Sequence, residues 1–202
     1  FLDEDDTILY ASDLGLDVVN AYNVDYSTGT LTLIPDLCLH IQPGRGPRSM
    51  AVNPSGTYLY LTTEMGCTCI VYKKSGITWK PIQEISTVPK DTLCSNITAE
   101  ASLSPDGSFL YVSNRGHDSI GVFSISKENG SLTPIQWIST QGKTPRSFCM
   151  ASGGNWLIAA NQDSDALSVF SRDAASGKLN FLHQEYAATP VCVRMYDPVN
   201  KS

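Results

Sequence analysis

Short apolar runs separated by polar turns recur along this chain at a nearly constant interval. The turns DEDD, NPSG, SPDG and SGGN each precede an apolar run, and the leucines in those runs, Leu9, Leu59, Leu110 and Leu157, are 50, 51 and 47 residues apart. A second apolar strand, such as VVNAYNVD or SIGVFSIS, begins about ten residues later. No segment sustains an apolar period of 3.6 residues, so we expect helices to be almost absent.

Several short strands per unit, repeated about every 50 residues, predict an all-β protein with the β-propeller fold and four tandem four-stranded blades. The strand content excludes a solenoid of helix pairs, and a β-sandwich would not repeat one turn–strand–turn order. We expect a single domain over 1–202. Its predicted units are 1–47, 48–98, 99–145 and 146–190, with 191–202 as the inner strand of a further or closing blade.

Residues equidistant from a hairpin turn lie beside each other on antiparallel strands. Arg48 thus mirrors Glu64 across NPSG to within a residue, and Arg146 mirrors Asn161 across SGGN. Inner strands line the central channel of a propeller, so their ends should meet at one rim. The polar residues that we expect at that rim are Asp13, Arg48, Glu64, Glu100, Asn114, Arg115, Arg146 and Asn161.

Charges of both signs at one rim suit a small anionic ligand. Arginine makes bidentate contacts to carboxylate or phosphate, and a glutamate can act on water or on a carbon-bound proton. The alternative, that these acid–base pairs only cap the strand ends, stays open.

Composition removes several classes of function. The net charge of −6 argues against non-specific binding to nucleic acid, and no apolar run reaches the length of a membrane span. The six cysteines lack a second pair at zinc-ligand spacing, so we expect free thiols and no metal. We expect a cytoplasmic protein, with secretion as the alternative because Asn96 and Asn129 begin glycosylation sequons.

The segments DLGLDVV, GPRSMAVNPSGTYLYLTTE, AEASLSPDGSFLYVSNRGHDSIGVF and TPRSFCMASGGNWLIAANQDSDALSVF resemble the lactonase family of seven-bladed β-propellers. The resemblance runs from Leu2 to about Arg194. The family includes propeller-type 6-phosphogluconolactonases and fungal carboxy-cis,cis-muconate cyclases. It implies a site without metal or cofactor, built from Arg, Glu and a His, which acts on a carboxylated or phosphorylated sugar-type lactone.

The resemblance also implies roles for individual residues. The predicted catalytic residues are Arg48, Glu64 and Arg115, and the predicted substrate-binding residues are Asp13, Glu100, Asn114, Arg146 and Asn161. Ser49 departs from the family, because many members have His after GPR. A further family His would precede Phe1, and we expect His117 to be a rim residue rather than a catalyst.

Two functions and two architectures remain open. The first function is lactone hydrolysis or carboxymuconate cycloisomerisation, and the alternative is a non-catalytic propeller that binds a ligand or a protein. Seven blades need roughly 350 residues. The chain is therefore either the C-terminal part of a seven-bladed protein, not fully active alone, or a closed ring of four blades. The resemblance favours the first.

Overall fold

The computed structural model describes residues 1–3, 5–92, 95–151 and 153–195, which form four antiparallel sheets. The first contains β1 (Ile8–Asp13), β2 (Val18–Asp25), β3 (Thr30–Leu33) and β4 (Leu39–His40). The second contains β5 (Pro47–Val52), β6 (Tyr58–Thr63), β7 (Thr68–Ser75) and β8 (Thr78–Ser86). The third contains β9 (Ile97–Leu103), β10 (Phe109–Arg115), β11 (Ser119–Ile125) and β12 (Leu132–Ser139). The fourth contains β13 (Pro145–Met150), β14 (Trp156–Asn161), β15 (Ala166–Arg172) and β16 (Leu179–Tyr186).

The hairpin between the first two strands of a blade is fixed by its polar turn. In NPSG, Asn53 Oδ1 accepts the backbone N–H groups of Thr57 and Tyr58 at 2.9 and 2.8 Å. Gly56 has a φ of 64°, which a residue with a side chain rarely adopts. Its N–H closes the turn on the carbonyl of Asn53 at 2.8 Å. The turn therefore sets the register in which the two strands pair.

The two middle sheets are apolar on both faces. Alternate residues of a strand point to opposite sides, and consecutive residues of their strands are apolar. In β6, Leu59 and Leu61 pack against the first sheet, whereas Tyr58 and Tyr60 pack against the third. A further buried cluster, which includes Phe170, joins the third sheet to the fourth. Three apolar interfaces thus stack the four sheets side by side in chain order, as blades.

Hydrogen bonds from buried tyrosines recur at two of the blade interfaces. The hydroxyl of Tyr60 donates to the carbonyl of Gly130 in the next blade at 3.1 Å, and that of Tyr111 donates to Gly177 at 2.7 Å. Both tyrosines are fully buried. Since a buried hydroxyl without a partner costs free energy, these bonds favour one alignment of the neighbouring blades.

In the first, third and fourth blades an aspartate binds the segment that follows the outer strand. Asp17, Asp118 and Asp165 have φ values of 54°, 51° and 50°. Asp17 accepts the N–H groups of Gly44 and Gly46 at 2.7 Å each, Asp118 that of Thr144 at 2.9 Å and Asp165 that of Thr189 at 2.7 Å. These bonds from Gly46 and Gly44 lower the pKa of Asp17. In the second blade Cys67 takes this place, and its thiol donates to the carbonyl of Asn96 at 2.9 Å.

The predicted all-β fold of four four-stranded blades is confirmed. In the described part of the chain, helical structure is limited to the 3-10 turns Pro35–Leu37 and Gln162–Ser164. The inner strands β5, β9 and β13 begin one or two residues before the predicted unit boundaries. Residues 191–195 form no strand, although the N–H of Val193 donates to Ser147 Oγ of β13 at 3.4 Å. The rest of the predicted final strand, 196–202, lies outside the described residues.

We expect Asp17→Ala to lower the melting temperature at neutral pH, because two backbone N–H groups lose a charged acceptor. The folded pKa of Asp17 is depressed, so its contribution is present above the ordinary aspartate pKa and is lost as the pH falls through the folded value. The difference from wild type should therefore narrow in acid. Thermal unfolding at several pH values measures it, with exposed Asp36→Ala as the control on the same blade. Equal melting temperatures at neutral pH would contradict this role.

Candidate active site

Each inner strand carries a register shift close to its first residue. On β5 the shift lies between Pro47 and Met50, and on β13 it lies between Pro145 and Ser147. On β9 it lies opposite the step from Val112 to Asn114 of the neighbouring strand β10. The residues in these bulges are Arg48 and Ser49, Ala99 and Glu100, and Arg146. A bulge re-aims the side chains that it carries. The predicted site residues of the inner strands therefore lie where the regular ladder is broken.

Hydroxyl groups hold two of these bulges. The N–H of Ser49 donates to Thr62 Oγ1 at 3.1 Å, and the N–H of Glu100 donates to Ser113 Oγ at 3.0 Å. Ser49 Oγ in turn accepts the N–H of Ala101 at 3.1 Å. The side chain of Ser49 thus joins the inner strands of two neighbouring blades beside the candidate site.

Glu64, which directly follows β6, connects arginines of two blades. Its Oε2 accepts a bond from Arg48 Nη1 at 2.7 Å, and its Oε1 lies 2.9 Å from Arg115 Nη2. The side chains of Glu64 and Arg115 are only 14% and 7% exposed. Arg115 Nη2 also donates to the carbonyl of Thr98, while its buried Nε has no partner among the described residues. Two guanidiniums on one carboxylate leave positive charge at this rim.

Glu100 is a second carboxylate close to this cluster. Burial raises its pKa above the ordinary value, and the nearby Arg194 and Arg48 oppose this rise. Its Oε1 is 3.8 Å from Arg194 Nη2, too far for a hydrogen bond. Glu100 and Arg194 also line an open groove of about 590 Å³ between β9, β13 and residues 191–195. Glu100 therefore lies near Arg48 and Arg194 and lines an open groove.

Two further polar side chains lack partners in the part of the chain that the structure describes. Arg146 is half-buried on β13, and no described residue makes a hydrogen bond or ion pair with its guanidinium. Gln162 has a buried Oε1 that no described residue hydrogen-bonds. Gln162 follows Arg115 by 47 residues and Arg115 follows Glu64 by 51, which are the spacings of the repeat. The three residues thus have equivalent positions in successive blades.

Three predicted substrate-binding residues engage the protein itself. Asn114 is fully buried, and its amide donates to the carbonyl of Thr87 at 2.9 Å. Asn161 is equally buried and donates to the carbonyl of Thr140 at 3.3 Å. Both acceptors follow the outer strand of the preceding blade. Asp13 accepts the N–H of Leu16 within its own turn.

One histidine lies near the rim, and the cysteines of the described chain are free. His117 Nδ1 lies 2.7 Å from Ser119 Oγ, in the loop after Arg115. Cys38, Cys67, Cys69, Cys149 and Cys192 are free thiols, of which Cys69 and Cys149 are buried. Over the described ranges, no three His, Cys, Asp or Glu side chains come close enough to hold a metal ion.

The structure brings Arg48, Glu64 and Arg115 into direct contact and places Glu100 near Arg48. Sequence reasoning missed Arg194 and Gln162. Gln162 could have been found from the repeat spacing alone, because it occupies the position of Glu64 and Arg115. Arg194 had no such signal, since it follows the last hairpin and meets Glu100 only through tertiary packing.

Comparison with known proteins establishes the family. A family model described as "Lactonase, 7-bladed beta-propeller" matches residues 1–195. The chain belongs to this lactonase family. The 6-phosphogluconolactonase of Bacillus subtilis is 34% identical over 193 residues, 94% of this chain and 54% of that protein. The 6-phosphogluconolactonase of Formosa agariphila is 35% identical over 180 residues, 88% of this chain and 51% of that protein.

Two solved structures have the same fold. A Lactobacillus plantarum protein superposes with a TM-score of 0.92 at 34% identity, over 98% of this chain and 57% of that one. The periplasmic gluconolactonase of Pseudomonas aeruginosa gives 0.89 at 30% identity, over 94% of this chain and 54% of its own. The chain spans about half the length of the lactonase relatives that it matches.

We expect Asn161→Ala to destabilise the protein without weakening substrate binding, because its amide joins two blades. Lost hydrogen bonds and the small cavity should together cost about 1–2 kcal/mol of unfolding free energy. Urea unfolding measures this cost, and Asn180→Ala on exposed β16 is the control. A raised KM for a lactone at unchanged stability would instead favour the predicted contact with substrate.

Proposed function

We propose that the protein binds a small anionic sugar lactone at this rim and catalyses its hydrolysis. The observation that carries the proposal is the Glu64 carboxylate held between Arg48 and Arg115, from two neighbouring blades. Similarity to 6-phosphogluconolactonases and to a gluconolactonase supports a lactone as the substrate class. Hydrolysis of 6-phosphogluconolactone is the specific reaction that we favour.

The arginines supply binding and electrostatic stabilisation in this proposal. A guanidinium has five N–H donors, and Glu64 occupies only some of those on Arg48 and Arg115. The remaining donors can hold the anionic group of the substrate and the lactone carbonyl oxygen. When water adds to the carbonyl carbon, negative charge develops on that oxygen, and donors fixed in advance stabilise it.

Glu64 is the third member of the proposed catalytic group. By bonding both arginines it keeps their guanidiniums at one place and offsets part of their mutual repulsion. Arg146 adds a further positive charge on β13. Asn114 and Asn161 support the rim by joining blades, and Asp13 does so by closing a turn.

We expect Arg48→Ala to lower kcat/KM for 6-phosphogluconolactone by about 10²–10³-fold, the range observed when a donor to a developing oxyanion is removed. Glu64→Gln should also reduce turnover, because both guanidiniums lose their charged partner and one of them loses its acceptor oxygen. Lactone hydrolysis in the native protein, measured above the spontaneous rate, tests both. Arg45→Ala is the matched control, since Arg45 pairs with the surface residue Glu84 at 2.9 Å. Unchanged lactone turnover in Arg48→Ala and Glu64→Gln would overturn the assignment.

Cycloisomerisation of a carboxymuconate and non-catalytic ligand binding stay predictions, as does the compartment. In the described ranges, no helix is long and apolar enough to cross a membrane. The sequon at Asn96 is closed in the folded chain, because Thr98 is fully buried and Asn96 donates to Asn114. The sequon at Asn129 lies in an exposed turn. A glycan at Asn129, detected by peptide mapping of the native protein, would show that the protein is secreted.

A further inference from the structure

We propose that Glu100 moves the proton in lactone hydrolysis, whereas Glu64 positions Arg48 and Arg115. This inference rests on the proposed lactonase function and divides the labour between the two carboxylates of its site. The two carboxylates differ in the groups that they contact.

Both oxygens of Glu64 are already occupied. Each makes a close contact with a guanidinium, at 2.7 Å to Arg48 and 2.9 Å to Arg115. To accept a proton from water, Glu64 would have to give up one of these charge-assisted bonds, and a buried guanidinium would lose its counter-charge. Glu64 is therefore suited to holding the arginines and poorly suited to proton transfer.

The carboxylate of Glu100 is free by comparison. Among the described residues no hydrogen bond reaches it, and Arg194 is its nearest ionic partner at 3.8 Å. Its backbone is fixed on both sides, because its own N–H binds Ser113 Oγ and the next N–H binds Ser49 Oγ. The main chain is thus held at this point while the carboxylate remains available to a ligand.

The repeat itself marks Glu100 as an exception. Ser49, Glu100 and Ser147 have equivalent positions, 51 and 47 residues apart. The hydroxyls of Ser49 and Ser147 accept an N–H from the chain beside them, of Ala101 and Val193. Glu100 makes no such bond within the described chain. The third blade therefore has a partly buried carboxylate where its neighbours have a structural hydroxyl.

The surroundings of Glu100 favour a base. The charged and titratable groups facing it are Arg48 from β5, Arg194 from residues 191–195 and Cys149 from β13. Burial raises its pKa more than the two arginines lower it, so it is a stronger base than an exposed glutamate. Because Glu100 lines the open groove, water can reach it.

The reaction balances with water as the only co-reactant. Ionised Glu100 takes a proton from water while the water oxygen bonds to the lactone carbonyl carbon. The resulting oxyanion is held by the guanidiniums of Arg48 and Arg115. When the carbonyl re-forms, the bond from carbon to the ring oxygen breaks, and protonated Glu100 returns its proton to that oxygen. The product is the open-chain hydroxy acid, which releases its own proton to solvent.

The test compares the variants Glu100→Gln and Glu64→Gln with the wild-type protein. The kcat and KM for 6-phosphogluconolactone and for gluconolactone are measured across the acidic and neutral pH range. Glu100→Gln should lower kcat by about 10²–10⁴-fold with KM little changed. The wild-type protein should lose activity as the pH falls through the raised pKa of Glu100, which is higher than that of an ordinary glutamate. Glu100→Gln should remove this loss. Glu64→Gln should keep this pH dependence while raising KM. Glu100→Asp, which retains a carboxylate, should keep the pH dependence at a reduced kcat.

Stability provides an independent readout. Because the folded pKa of Glu100 is raised, its ionised form costs stability at neutral pH, and Glu100→Gln should melt at the wild-type temperature or above. Loss of activity in a fully folded variant then reports on chemistry. Wild-type kcat and pH dependence in Glu100→Gln, or a lost pH dependence in Glu64→Gln alone, would overturn the inference and leave the proposed function standing. A wild-type protein that hydrolyses neither lactone would overturn both.

Discussion

The burial of both faces of the middle sheets is the constraint on which this structure depends. A sheet that is apolar on two sides must have a neighbour on each side, and three apolar clusters satisfy this requirement along the chain. Such stacking brings the inner strands together, so that β5 contacts β9 and β9 contacts β13. Side chains that are far apart in sequence, such as Arg48 and Arg115, thereby meet on Glu64. The charged rim is a consequence of apolar packing elsewhere.

That rim combines two electrostatic demands. Arg115 is only 7% exposed, and burying a charge is costly unless it is paired. Glu64 and the carbonyl of Thr98 provide that pairing. The same pairing leaves the cluster with more positive than negative groups, which suits an anionic substrate. In the proposed function, Glu64 both stabilises the fold and positions the two arginines for a ligand.

The amino-acid pattern was sufficient for the fold and for one contact of the site. The turn spacing predicted the blades, and the antiparallel hairpin placed Arg48 close to Glu64. The bulge at Arg48 shifts the backbone pairing, so that Pro47 pairs with Thr63, and Arg48 meets Glu64 through its side chain. The contact of Arg115 with Glu64 crosses two blades and depends on how the sheets twist, which periodicity does not determine. Asn114 was predicted to bind substrate. Whether its amide faces the channel or the neighbouring blade depends on the position of the Thr87 carbonyl, a tertiary feature.

Comparison of equivalent positions separates structural residues from candidates for chemistry. The bonds of Tyr60 and Tyr111 recur in two successive blades, as do those of Asn114 and Asn161, so these residues have structural roles at blade interfaces. A repeated scaffold has no packing reason to vary at one place on its rim. Yet Glu64, Arg115 and Gln162 differ at one such place, and Glu100 replaces a hydroxyl at another. These differences between equivalent positions of the rim lie at the residues proposed here to handle the lactone, whereas the repeated bonds lie between the blades.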